Sequence, residues 1–317
     1  MTFLALLTKE MRLRMRRERT IWVIIVYILL MGLLGWFSLS RNSSYNNLSN
    51  NGLSDTGINL YYLLSQVQLF LIIFITPSFT ATVVNGEKER QTYDMLLCSR
   101  LSAFSLVSGK LLAGLMNALL LIAASVPLFS LVFFFGGVSP AQVLYALAVY
   151  VVTAILIGTF GLFCSTLFSR PSISTAITYM VSLLWMMVPL IVSFILLASG
   201  GGKYFSVHPN QMLLMFTWNP IVALINTSPP SGGLFPYLFG MGYGLGYGLG
   251  SAGTLPPITI GNLHFALWGA YIVICLVVTV ILFLLSMWTI KPHPVRRLLT
   301  RYRKPAKKTI VEMEAKA

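Results

Sequence analysis

The chain has 317 residues, of which 56% are hydrophobic and 9% are charged, and 22 Lys and Arg against eight Asp and Glu give a formal net charge of +14. A mean hydropathy of +0.81 excludes a water-soluble globular domain, because apolar runs of about 20 residues are long enough to cross a bilayer. The basic excess predicts membrane topology and contact with anionic lipid headgroups. Nucleic-acid binding is the weaker interpretation, since the chain has no folded basic domain to carry it.

Residues 1–19 form a basic segment ahead of the first apolar run. Leu4, Leu7, Met11 and Met15 recur at helical spacing, with charged residues around most of the rest. This stripe predicts a helix that lies in the membrane interface, and a solvated basic arm is the alternative. The basic part is too long for a cleaved signal, and no A-x-A-like site follows the apolar run.

Residues 20–290 contain six apolar runs. Their hydrophobicity is continuous and does not alternate, which favours helices over a barrel. The sequence therefore predicts an all-α polytopic membrane protein with six transmembrane helices, at about Thr20–Leu39, Leu60–Val84, Leu106–Phe135, Ala141–Phe168, Ile173–Ala198 and Leu263–Ile290.

The distribution of Lys and Arg predicts the orientation of these helices. With six spans, the N-terminal segment, the loops after the second and fourth spans and the tail (residues 291–317) lie on one side. Only Arg41 and Lys203 lie on the other. Basic loops stay in the cytoplasm, so both termini are predicted to be cytoplasmic.

The loop after the second span, "NGEKERQTYDMLLCSR", holds three of the eight acidic residues, Glu87, Glu89 and Asp94. Asn85 and Gly86, followed by acids in the first turn, suit a helix start. A short charged helix at about residues 86–100 would be a docking element whose mixed charges orient a soluble partner. An ordinary solvated loop is the alternative, but it does not account for the acids.

The predicted outer segment, about residues 199–262, is not simply polar. Its stretch "NQMLLMFTWNPIVALIN" is apolar but too short to cross twice, which predicts a re-entrant or interfacial segment before the last span. Glycine then recurs at every second position from 240 to 250, beside Tyr243 and Tyr247. These two tyrosines are candidates for an outer gate, and a flexible apolar loop is the alternative.

The spans hold mild polarity and no acidic residue. Intramembrane ionisable residues mark proton relays and voltage sensors, so their absence argues against both functions. Lys110 lies near the cytoplasmic end of its span, where its side chain can snorkel. Uncharged polar residues remain, and they either line a path for an amphipathic or neutral substrate or join helices to one another: Gln66, Gln68, Thr76, Thr80 and Asn117.

The chain has no motif for catalysis or for nucleotide binding. A P-loop needs G-x-x-x-x-G-K-[ST], but Phe104 and Leu111 replace two of those residues around Gly109–Lys110. There is no H-E-x-x-H or G-x-S-x-G motif, and three scattered cysteines make no metal motif. We therefore expect no catalytic residue, metal or cofactor in this chain, and any motor would be another polypeptide.

The segment Gly86–Leu115, "GEKERQTYDMLLCSRLSAFSLVSGKLLAGL", resembles the signature of ABC-2-type permeases. That signature runs roughly E-[KR]-E-x-G-T-x-x-x-L-L-x-x-P, then about ten residues, then G-K. The sequence departs from it at Gln91 and at Cys98–Arg100. It matches at Glu87, Lys88, Glu89, Thr92, Leu96, Leu97, Gly109 and Lys110.

The resemblance implies the membrane half of an ATP-driven exporter in the plasma (inner) membrane of a prokaryote. Two permeases, either identical or sister chains, would pair with two separate ATPase subunits that bind ATP and Mg. The outer segment would be the extracellular gate. The segment at residues 86–100 would be the coupling helix, which contacts the ATPase through Glu87, Lys88, Glu89, Arg90, Thr92 and Asp94.

Two other functions stay open on the sequence alone. One is a channel or carrier that works without ATP, and the other is a membrane anchor or sensor that recruits a cytosolic protein. The sequence identifies neither the substrate nor the choice between a homodimer and a heterodimer.

Overall fold

The computed structural model describes residues 18–46, 53–89, 103–198, 217–227, 258–260 and 263–290. These residues form eight helices and two short strands. In chain order they are α1 (Glu18–Asn46), α2 (Leu53–Thr80), α3 (Asn85–Glu89), α4 (Ala103–Phe135), α5 (Pro140–Leu167), α6 (Pro171–Ala198), α7 (Pro220–Thr227), β1 (Ile258–Ile260), β2 (Leu263–Phe265) and α8 (Leu267–Ile290).

Five helical segments in the described residues are long and apolar enough to cross a membrane, which confirms a helical multi-pass protein. The first predicted span, Thr20–Leu39, corresponds to α1, whose apolar part is the shorter stretch Ile24–Phe37 and which is not one of the five. The five are Thr56–Glu89, Phe104–Phe135, Pro140–Leu167, Pro171–Val188 and Leu267–Thr289.

Helices α2 and α5 lie at the centre of the bundle. α2 packs against α1, α4, α5, α6 and α7, and α5 packs against α2, α4, α6, α7 and α8. Their buried side chains include Tyr61, Ile73 and Tyr150. The peripheral helices α1 and α8 expose large apolar side chains such as Trp36 and Leu284, as surfaces that face lipid do.

The hydropathy pattern places the spans well but misplaces several helix ends. α1 continues to Asn46 and α2 already begins at Leu53, inside the predicted polar loop. Hydropathy reports the part of a helix that is apolar, and the hydrogen-bonded helix continues beyond it. These two ends are therefore corrected by the structure.

A small hairpin precedes the last helix and was not expected in an all-α protein. β1 pairs antiparallel with β2 in the register Ile258↔Phe265, Thr259↔His264 and Ile260↔Leu263. The last helix consequently begins at Leu267 and not at the predicted Leu263. The alternating sequence "ITIGNLHF", with Gly-Asn between its two halves, is a recognised hairpin signal that outweighs hydropathy here.

Helix α7 is the described part of the predicted re-entrant or interfacial segment. Its eight residues span about 12 Å, too short to cross a bilayer. Pro220 and Ile221 are buried, and the helix packs against α2, α5 and α8. Asn219 caps it, because its Oδ1 accepts from the N–H of Ile221 at 2.8 Å while its Nδ2 donates to the carbonyl of Met186 at 2.9 Å. Packing against three helices shields the backbone of α7.

Candidate functional site: the junction segment

The junction segment, defined as residues 81–89, connects the end of α2 to the charged signature. Four turn residues follow Thr80, and α3 then occupies Asn85–Glu89. The β-branched residues of the turn, Thr82, Val83 and Val84, have reduced helix propensity, which fits the end of α2 at Thr80. The rest of the predicted coupling helix, including Arg90, Thr92 and Asp94, lies outside the described residues.

The end of α5 supports the start of α3. The hydroxyl of Ser165 accepts hydrogen bonds from the backbone N–H groups of Val84 and Asn85, at 2.9 and 3.0 Å. Asn85 is fully buried. With its amide nitrogen turned towards α5, it also donates to the carbonyls of Ser165 and Phe168. A hydroxyl from another helix thus satisfies the backbone amides of the last turn residue, Val84, and of the first residue of α3, Asn85.

Lys88 caps the same end of α5. Its Nζ donates to the carbonyl oxygens of Ser165, Thr166 and Phe168 at 3.2, 2.6 and 3.4 Å. The last carbonyls of a helix lack intrahelical donors and carry partial negative charge. The Lys88 ammonium therefore has a stabilising intramolecular position, whereas the sequence had suggested a contact with a partner.

Glu87 forms an ion pair with Lys110 of α4. The Nζ of Lys110 lies 2.5 Å from the Oε1 of Glu87, and the two side chains are 3% and 27% exposed. Lys110 thus points into the protein and does not snorkel. The two residues belong to separate parts of the signature, 23 positions apart, and the ion pair joins the junction segment to the start of α4.

A third helix, α6, holds the beginning of the segment. The hydroxyl of Ser174 donates to the carbonyl of Ala81 at 2.9 Å. The junction segment is therefore bonded to the ends of α4, α5 and α6. A displacement of this segment would act on all three helices.

Among the described docking candidates, Glu89 is the exposed one. Glu87 and Lys88 make the internal bonds described above. The structure therefore separates the six predicted docking residues into two that hold the segment in place, one that faces outward and three beyond the described residues.

Two of the predicted path residues join helices. A Cβ at Gly114 of α4 would lie 2.9 Å from the methyl group of Thr80, and one at Gly161 of α5 would collide with the Thr80 hydroxyl. The absence of a side chain at these glycines lets α2 approach both helices. Gln68 accepts a hydrogen bond from the hydroxyl of Tyr27 on α1 through its Oε1.

The remaining path candidates have different positions. Gln66, Thr76 and Asn117 are buried, the first two on α2 and the third on α4. Tyr243 and Tyr247, the gate candidates, lie outside the described residues.

The described residues also enclose an apolar pocket. They contain no group of three or more His, Cys, Asp or Glu side chains arranged to hold a metal ion. A largely apolar pocket of about 180 Å³ lies between α5, α6 and α8, lined by Leu156, Ile157, Phe160, Val181, Ser182, Trp185, Val278 and Leu282.

Sequence reasoning missed the contribution of Ser165 and Ser174 to the junction. Single serines at helix ends carry no pattern that identifies their partners. For Lys110, the signature itself was a signal, because it contains Glu87 and Lys110 together, but it does not say that they touch.

Helices long and apolar enough to cross a membrane, with a charged segment bonded across one end of the bundle, define a multi-pass membrane protein. The chain matches a family described as ABC-2 family transporter protein over residues 38–288, which is more than half of its length. It therefore belongs to this family and is a membrane permease. The match includes the whole junction segment. Comparison with the curated proteins gives no match.

Proposed function

We propose that this chain is the permease subunit of an ABC exporter, which moves its substrate outward with ATP hydrolysed by a separate ATPase subunit. Membership of the ABC-2 family supports the transport function. The observation that carries the coupling to a partner is the junction segment, which presents the exposed Glu89 while bonded to three helices.

The proposed topology has six spans, with α1 as the first and both termini in the cytoplasm. Its basis is the distribution of Lys and Arg together with the length of α1, 29 residues. The junction segment then lies on the cytoplasmic side, within reach of a soluble ATPase. α7 and the β1–β2 hairpin lie on the outer side, where the re-entrant segment would form part of the gate.

Coupling follows from the bonds of the junction segment. Glu89, followed in the sequence by Arg90, Thr92 and Asp94, contacts the ATPase. ATP binding closes the ATPase dimer and displaces the segment. The displacement passes to α4 through Glu87–Lys110, to α5 through Lys88 and to α6 through Ser174, so the helices rearrange together.

The working assembly contains two permeases and two ATPases in a prokaryotic plasma membrane. The second permease is another copy or a sister chain. ATP and Mg are bound by the ATPase subunits, so the permease itself carries no catalytic residue.

Charge reversal at Glu89 tests the docking role. Glu89→Lys should reduce co-purification of the ATPase and ATP-dependent transport about tenfold or more, because it reverses a charge at the proposed interface. Asp55→Lys makes the same charge change near the start of α2, at the end of that helix remote from the junction segment. It should leave ATPase co-purification and transport unchanged. The amount of bound ATPase is measured by mass spectrometry after mild-detergent purification. Normal ATPase binding and transport in Glu89→Lys would contradict the docking assignment.

A further inference from the structure

Buried polar groups without a hydrogen-bond partner are concentrated on α2. Among the described residues of the long helices α1, α2, α4, α5, α6 and α8, these groups are Nε2 and Oε1 of Gln66, Nε2 of Gln68 and Oγ1 of Thr76, all on α2, together with Oγ1 of Thr279 on α8. Other buried hydroxyls have a partner: those of Ser65 and Ser125 donate to a carbonyl of their own helix at 2.9 and 2.7 Å, and that of Ser174 donates to Ala81. Gln66 therefore stands out, because both ends of its amide lack a partner within the described residues.

Gln66 lies at the middle of the bundle. It is the fourteenth of the 28 residues of α2 and is only 1% exposed. It is therefore about 20 Å from either end of the helix. No bulk water is available at this depth, and a buried donor and acceptor without partners are costly. A buried group of this kind calls for a partner such as water or a ligand.

Gln68, two residues further on, provides an internal comparison. It is as deeply buried, but its Oε1 accepts from the hydroxyl of Tyr27 and so connects α2 to α1. Two residues correspond to about 200° of rotation on a helix, so Gln66 points away from Tyr27.

Further along α2, the side of the helix that carries Gln66 packs against α4 and α5. Thr80 is fourteen residues beyond Gln66, close to four full turns, and so shares its side of the helix. At Thr80 this side contacts Gly114 of α4 and Gly161 of α5. These are two of the helices that the junction segment bonds at their ends. Gln66 is thus on the side of α2 whose neighbours the coupling movement would displace.

We infer that Gln66 contacts the cargo at mid-membrane, and that the cargo presents uncharged groups that both donate and accept hydrogen bonds, such as hydroxyls or amides. The inference rests on the proposed transport function. A glutamine amide offers a donor and an acceptor together and no charge. Between Thr56 and Val84 the second span carries no charged residue, and a charged cargo group without a counter-charge at this depth would be strongly disfavoured.

Thiol labelling tests the position of Gln66. Gln66→Cys and Gln68→Cys are made in a chain whose three natural cysteines are replaced by alanine, and each is reconstituted with its ATPase in phosphatidylethanolamine–phosphatidylglycerol vesicles. Iodoacetamide, a neutral reagent, alkylates the thiolate, which forms where water reaches the sulfur. Position 66 should react about tenfold faster than position 68, as measured by intact-protein mass spectrometry. Equal rates both with and without ATP would overturn the inference.

Protection from labelling tests the cargo class. Hexyl β-glucoside, hexyl sulfate and hexyltrimethylammonium share one chain length and differ in charge. Hexyl glucoside should slow the alkylation of Gln66→Cys several-fold, and the two charged compounds should leave the rate unchanged. Equal protection by a charged compound would overturn the neutral class. No protection by hexyl glucoside would mean that water alone reaches Gln66, and it would overturn the cargo contact.

A pair of leucine variants separates a cargo role from a structural one. Gln66→Leu should keep or raise the midpoint of thermal unfolding, because an unpartnered amide is removed. It should also abolish the stimulation of the transporter's ATP turnover that hexyl glucoside produces as cargo. Gln68→Leu should lower the midpoint, because the Tyr27 hydroxyl loses its acceptor. A lower midpoint in Gln66→Leu would assign Gln66 to packing and overturn the inference.

Failure of this inference is distinguishable from failure of the proposed function. If iodoacetamide does not reach position 66 in a complex that hydrolyses ATP and transports, only the proposed cargo contact is contradicted. If position 66 is labelled and hexyl glucoside protects it in a chain that binds no ATPase, the contact with a neutral cargo stands. The proposed ATP-driven exporter is then contradicted.

Discussion

Glu87 and Lys110 show that two residues of one signature can form an ion pair with each other. Both were candidates for the cytoplasmic surface on sequence grounds, one as a docking acid and one as a snorkelling cation. The structure pairs them at 2.5 Å, with the lysine side chain 3% exposed. The pair therefore holds the junction segment against α4. Of the two side chains, only that of Glu87 is exposed enough to reach an ATPase as well.

Glu87→Gln should destabilise the permease, because it leaves the buried Lys110 ammonium without its counter-charge. Removal of one partner of a buried ion pair costs about 3–5 kcal/mol, which should appear as a lower midpoint of thermal unfolding in detergent. Adding Lys110→Met should recover most of this loss, since the uncompensated charge is removed as well. A Glu87→Gln chain of normal stability that no longer binds its ATPase would assign Glu87 to docking instead.

At the scale of the elements, one side chain bonds the start of the short helix α7 to its neighbour α6. Asn219 caps α7 through the N–H of Ile221 and bonds α6 through the carbonyl of Met186. Met186 lies three residues before Pro189, whose lack of an N–H leaves the carbonyl of Trp185 without its helical donor. Asn219 therefore connects α7 to α6 just ahead of this interruption.

Asn219→Ala should lose both bonds and lower stability by about 1–3 kcal/mol. Asn219→Ser keeps an N-cap oxygen but is too short to replace the bond to Met186, so its loss should be intermediate. Thermal unfolding of the two variants beside the natural chain measures the difference. Equal stability of all three would show that neither bond holds α7 in place.

The helices and the hairpin also show which structural features a single sequence can predict. Continuous hydrophobicity predicted the spans because lipid exposure and burial both demand apolar side chains along a whole helix. The partners of Lys88, Lys110 and Gln68 could not be predicted. Each partner lies on another helix than the residue it bonds, and a single sequence gives no information about which helices touch. The hairpin before α8 did have a signal, Gly-Asn between two alternating strands, that the hydropathy of "LHFALWG" concealed.

At the scale of the whole molecule, one group of polar bonds ties the helices together at the junction end, and the peripheral helices α1 and α8 expose apolar side chains. The central helices α2 and α5 connect these parts, and the junction segment reaches α4, α5 and α6. Such an arrangement converts a force on one short segment into a movement of several spans. It gives the chain no means of generating that force, since the sequence has no P-loop.

The most direct test of the account is purification of the chain from its native membrane in mild detergent, followed by mass spectrometry of the bound proteins. We predict one P-loop ATPase per permease, and a preparation that hydrolyses ATP. Any sister permease would appear in the same sample and identify a heterodimer. A well-folded chain that is recovered alone, and that passes substrate across vesicles without ATP, would contradict the account.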